Sequence, residues 1–233
     1  MCEHLVMIPG LLCTGDLFAH QILNLSGDIA ATVADTLNDA TLGEMAERLI
    51  ASAPPRFCLA GLSMGGYVAF EVLARVPERV EKLVLIDTSA RADLPEQSQA
   101  RRDLVAKARS EGVAAAVDAL VPRLLAPAHQ NDPELKRRLH QMGAEVGIEG
   151  FARQQEAIIA RPDRRKWLAS LSLPTLVIVG EDDILTPPKV AAEMTERLPN
   201  ARLEIVAGSG HMSTMERPGE LTRLLQDFCA PRL

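Results

Sequence analysis

Short apolar runs alternate along the chain with longer stretches in which apolar residues return every three or four positions. The short runs occupy 5–8, 29–34, 57–61, 83–86, 175–179 and 203–206, each closed by Gly, Asp or Pro at its end or just beyond. They are too short for buried helices and too continuously apolar for strands with one wet face. They therefore predict strands covered on both sides, as in a parallel sheet. The periodic stretches, at about 17–24, 42–53, 65–75, 190–198 and 220–228, predict the covering helices. Thr186-Pro187-Pro188 predicts the start of one of them, with the threonine hydroxyl as N-cap and proline where its missing N–H costs nothing.

The alternation is interrupted once. Residues 91–168 hold no strand-like run, only Ala-, Arg- and Glu-rich helical sequence broken near Pro122, Pro127, Pro133, Gly147 and Pro162. The expected fold class is α/β, a mostly parallel, doubly wound sheet of about six strands. Residues 1–90 and 169–233 would form the core and 91–168 a helical cap over the carboxyl edge of the sheet. A length of 233 residues suits one such domain.

Composition narrows the partners. Only 3% of residues are aromatic against 47% hydrophobic, so Leu, Val, Ala and Ile must fill the core. A net charge of -6 argues against nucleic acid or an anionic membrane surface. Two basic clusters, Lys136-Arg137-Arg138 and Arg164-Arg165-Lys166, could attract an anionic substrate, but solvated faces balanced by Glu134 and Asp163 are the favoured reading. Cys2, Cys13, Cys58 and Cys229 lack metal-ligand spacing and are expected as free thiols in a reducing compartment. No metal or cofactor is implied. The opening residues do not read as a signal peptide and no apolar run reaches the ~18 residues of a membrane helix. A cytoplasmic location is the expectation.

The strongest chemical signal is Gly61-Leu62-Ser63-Met64-Gly65, between a predicted strand and a predicted helix. A serine on so sharp a turn is held in a strained conformation with its hydroxyl out at the end of the sheet, and glycines two positions either side avoid collisions with neighbouring backbone. The helix that follows offers free N–H groups to a developing oxyanion, with Met64 N–H the first candidate.

A serine hydroxyl needs a base, and that base an orienting acid. His211, in Ala207-Gly208-Ser209-Gly210-His211 after the last strand, is the candidate base; His4 and His20 precede the serine, and His129 and His140 read as surface residues of the cap. Asp183, in the loop after the fifth strand, is the preferred acid, with Asp182, Glu181 and Asp87 as alternatives. The second oxyanion donor is expected to be Leu11 N–H, since Gly10 lets the first loop turn back toward the serine. Cys13 reads as a small buried hydrophobe near that loop.

These parts, Pro9-Gly10-Leu11, Gly61 to Gly65, Gly180-Glu181-Asp182-Asp183 with Thr186-Pro187, and Gly210-His211, arrive in the order of the α/β-hydrolase superfamily. The chain resembles its small capped, carboxylesterase-like members over nearly its whole length. The resemblance implies that the acid stands three residues after the glycine, which selects Asp183. It also implies a chain that opens at the family's third strand, hence six strands. The implied activity is cleavage of a carboxylic ester or thioester of a small to medium acyl group, through an acyl-enzyme on Ser63. A lactonase, a C–C bond hydrolase or a cofactor-free perhydrolase would use the same triad. A non-catalytic ligand-binding module of the same fold is the reading from another class.

Overall fold

The computed structural model describes residues 3–25, 27 and 29–230. Six strands form one sheet: β1 (His4–Ile8), β2 (Ala30–Val33), β3 (Phe57–Leu62), β4 (Val80–Ile86), β5 (Thr175–Gly180) and β6 (Ala201–Val206). Their spatial order is β2-β1-β3-β4-β5-β6, and every pairing is parallel. All six strand-like runs of the sequence are therefore strands.

Alternate residues of the central strands enter opposite cores, which is why residues 5–8, 57–60, 83–86 and 176–179 are apolar at every position. Met7, Ala60, Val84 and Ile178 pack on one face, together with Leu221, Leu224 and Leu225 from the last helix. Ile8, Leu59, Leu85 and Val177 pack on the other, against Met45 and Leu49, Val68 and Val72, and Met194. Truncating any of these buried leucines to alanine would cost about 2–5 kcal/mol.

The covering helices are α1 (Ala19–Asn24), α2 (Leu42–Ser52), α3 (Met64–Arg75), α7 (Pro188–Arg197) and α9 (Pro218–Cys229), with the four-residue α8 (Ser213–Glu216) before the last. Between β4 and β5 lie α4 (Pro95–Glu111), α5 (Val113–Leu124) and α6 (Pro133–Ile159). Gly147, with φ 67°, kinks α6, whereas Pro122 lies within the last turn of α5 without breaking it. The basic clusters of this insertion are largely engaged: Arg137 pairs with Glu134 and Arg165 with Asp163, while Arg138 reaches Asp16 of the first loop and Arg164 reaches Glu71 of α3.

Two expectations are corrected. α7 begins one residue later than a Thr186 cap requires: Pro187 is its N-cap, and the Thr186 hydroxyl is spent on Asp183. Cys13 and Cys229 are free as expected, and both are buried, but Cys58 is disulfide-bonded. Cys2 lies outside the described residues. Among the described residues no helix is long and apolar enough to cross a membrane.

Candidate active site

Ser63 stands between β3 and α3 with φ 53° and ψ -112°, a conformation that costs a non-glycine residue about 1–3 kcal/mol. The surroundings over-determine it. Its N–H donates to Ile86 O at 2.9 Å and its carbonyl accepts the Thr88 hydroxyl at 2.7 Å. A Cβ on Gly61 would strike the Gly65 carbonyl, and one on Gly65 would strike the Ile8 carbonyl. Both glycines of the elbow are thus steric requirements, and the second seats the first loop against the start of α3.

The loops after β5 and β6 are equally close, since a Cβ on Gly180 would meet the Ser209 and Gly210 backbone. This approach sets His211 Nδ1 2.8 Å from Asp183 Oδ2, with the two residues 3% and 2% exposed. Asp183 is held in turn by the N–H groups of Leu185 and Thr186 at 2.8 and 3.0 Å and by the Thr186 hydroxyl at 2.7 Å. Asp182 and Glu181 are exposed, and neither hydrogen-bonds the imidazole. Among the described residues, neither Ser63 Oγ nor His211 Nε2 hydrogen-bonds another protein atom, and the same holds for the N–H groups of Leu11 and Met64. Gly10 lies against the serine, a Cβ there coming 3.5 Å from Ser63 Cβ.

A sequence profile of the α/β-hydrolase fold family matches residues 34–218. The chain belongs to that family. It is an enzyme, a hydrolase. It is 30% identical over 197 residues to a pimeloyl-[acyl-carrier protein] methyl ester esterase of Yersinia enterocolitica, covering 81% of this chain and 75% of that one. It is 30% identical over 165 residues to 3-oxoadipate enol-lactonase 2 of Acinetobacter baylyi, covering 70% of this hydrolase but only 60% of the lactonase's length. Among solved structures, an esterase of Thermogutta terrifontis superposes with a TM-score of 0.87 at 29% identity, covering 96% of this chain and 88% of that one.

A second buried carboxylate adjoins the pair. Asp87 is fully buried at the end of β4, with Oδ1 accepting from Gly180 N–H at 2.8 Å and Oδ2 from the Ser213 hydroxyl at 2.5 Å. It makes no hydrogen bond to the imidazole, so of the four candidate acids only Asp183 does. Burial, then the like charge of Asp183, push the Asp87 carboxyl up to about 8 despite His211 and its hydrogen bonds. Burial presses the His211 pKa down, but the charge and hydrogen bond of Asp183, with Asp87 and Glu216 behind it, outweigh this and raise it above its ordinary value. Burial alone would raise the Asp183 carboxyl; His211 and the Thr186 donors outweigh it, and the pKa is lowered.

Glu216 escaped the sequence reading. Its side chain is fully buried, with Oε1 accepting from Gly210 N–H at 2.9 Å and Met212 N–H at 3.3 Å, the amides on either side of His211. Oε2 takes Ala126 N–H at 2.8 Å and His129 Nδ1 at 2.9 Å, so His129 is no plain surface residue. His211 N–H itself donates to Leu124 O at 2.8 Å. The histidine loop is thus bound to the insertion. Only a carboxylate can accept all four donors, but nothing local in the sequence marks this one.

Proposed function

We propose that this hydrolase cleaves a carboxylic ester or thioester of a small to medium acyl group through an acyl-enzyme on Ser63. His211 Nε2 takes the Ser63 proton as the Oγ–C bond forms, and Asp183 stabilises the imidazolium. The N–H groups of Leu11 and Met64 receive the oxyanion. Collapse breaks the bond to the leaving alcohol or thiol, which departs with the proton from His211. Water, deprotonated by the same imidazole, then attacks the acyl carbon and returns Ser63 to its hydroxyl form.

The observation that carries this reading is the 2.8 Å bond between His211 Nδ1 and Asp183. It fixes the tautomer that leaves Nε2 as an acceptor, and the Ser63 Oγ is likewise unengaged. Catalytic hydrogen bonds to the nucleophile commonly tighten only once substrate is present. The esterase and lactonase relatives support acyl chemistry, and a lactone is an ester closed on itself, open to the same steps. A purely ligand-binding role has no use for a base aligned in this way.

A fluorophosphonate probe tests the reading. Stoichiometric attachment to Ser63, lost in Ser63→Ala and His211→Ala, is the expected result. A folded protein that takes up no probe and turns over no p-nitrophenyl ester would overturn it.

A further inference from the structure

The turn that carries Leu11 is held from outside the sheet. Cys13 N–H returns to Gly10 O at 3.2 Å, closing a four-residue turn with Leu11 and Leu12 at its centre. Leu12 has φ 58° and Leu11 is not among the residues of positive φ, the pattern of a type II turn, whose third position ordinarily takes Gly or Asn. A leucine there opposes its own conformation, so other contacts must impose it.

The contact that does so comes from near the end of α6, the last helix of the insertion. Leu12 N–H donates to Gln154 Oε1 at 3.0 Å, and Gln154 Nε2 donates to Thr36 O at 3.2 Å in the loop after β2. Both partners are backbone groups of fixed polarity, so only one orientation of the amide satisfies them. Gln154 is fully buried on α6. The Cys13 thiol donates to Leu11 O at 3.3 Å, burial having pushed its pKa up to about 12 and so kept it protonated. Gly10 O, Leu11 O, Leu12 N and Cys13 N are therefore all engaged, whereas Leu11 N–H, like Gly10 N–H before it, is left unspent among the described residues.

We propose that Gln154 is a positioning residue, which holds the first-loop turn in the conformation that presents Leu11 N–H as an oxyanion donor. The inference rests on the roles given above to Leu11 and Ser63. An oxyanion donor acts only within a few tenths of an ångström of its working distance. Without Gln154, the buried Leu12 N–H would lose its partner and the turn would relax toward the form that leucine prefers.

Gln154→Met keeps side-chain length and burial but removes both hydrogen bonds. With p-nitrophenyl acetate, kcat should fall about 10- to 100-fold while KM stays within about threefold. The Ki of an alkyl trifluoromethyl ketone, which forms an oxyanion on the serine, should weaken by the same factor as kcat/KM, and binding of the product carboxylate should not change. Gln155→Met is the control: this neighbour is 1% exposed and accepts from Arg101 Nη1 at 2.9 Å, away from the turn, so its kcat should stay within about threefold of wild type.

A normal kcat in Gln154→Met, or equal losses in the two variants, would overturn the proposal. If Gln154→Met does not fold, Gln154→Asn, too short to span Leu12 and Thr36 together, faces the same assay and the same two outcomes. Wild-type protein labelled at Ser63 while Gln154→Met remains fully active sinks this inference alone. Absence of labelling in the wild type sinks the reading beneath it.

Discussion

Asp87 and Thr88 are neighbours at the end of β4 that bind in opposite directions: Thr88 reaches the carbonyl of Ser63, and Asp87 reaches Gly180 and Ser213. Asp87, at φ 45°, is in the left-handed region that only a constrained residue of its kind adopts. Through this one dipeptide the serine elbow is tied to the two loops that carry Asp183 and His211. The arrangement separates the two buried aspartates by task, one facing the imidazole and one joining the loops.

That separation makes opposite demands on two substitutions. Asp183→Asn should lower kcat by about 10⁴-fold with the fold intact, because the imidazole loses the partner that fixes its tautomer. Asp87→Asn keeps a carbonyl for Gly180 N–H and an amide for the Ser213 hydroxyl, losing only the 3.3 Å bond from Ser213 N–H, and should cost less than about tenfold. Steady-state kinetics on both decide the matter; a larger loss in Asp87→Asn would mean that the acid has been misassigned.

The pH dependence of kcat/KM follows from His211. Only neutral imidazole accepts the serine proton, so activity rises with pH through the His211 pKa. Since the carboxylates around it raise that pKa, the inflection should lie above the ordinary value of about 6.5. A profile already flat at pH 6 would contradict the base assignment.

Stability should respond to Asp87 with the opposite slope from a paired carboxylate. Its folded pKa, about 8, exceeds that of the unfolded chain. From about pH 4 to 8 the unfolded state therefore holds fewer protons at this site, and its contribution to stability is lost as pH rises. Asp87→Asn abolishes this loss. The melting temperature of the variant minus that of wild type should climb across the window, and a constant difference would refute the raised pKa of Asp87.

Removing Glu216 should damage both stability and turnover. Glu216→Ala strands three buried backbone N–H groups, of Ala126, Gly210 and Met212, at about 1–3 kcal/mol each. His129→Ala loses a single, partly exposed contact and should cost about 1 kcal/mol. Chemical denaturation of the pair measures this directly, and comparable losses would show that the amides find other partners.

How much of this was readable beforehand follows the range of the interactions. The six strands, the elbow and the preference for Asp183 rest on patterns a few residues long, and such patterns survive folding because apolar period and glycine sterics act locally. Thr186 misled because a hydroxyl before two prolines is an ordinary helix start, whereas here the hydroxyl turns back three residues to the Asp183 carboxylate that also holds the imidazole. The four residues of α8 are too few to show any period. Gln154 and Glu216 act across separations of 142 and 90 residues, which no local pattern encodes.

The bond from His211 N–H to Leu124 O fastens the imidazole to the tail of α5. On the proposed mechanism, a substrate that levered this corner open would reach a serine whose proton acceptor had just been unmoored. By the same reasoning, a substrate route that keeps the base in place is one that leaves residues 124–126 docked.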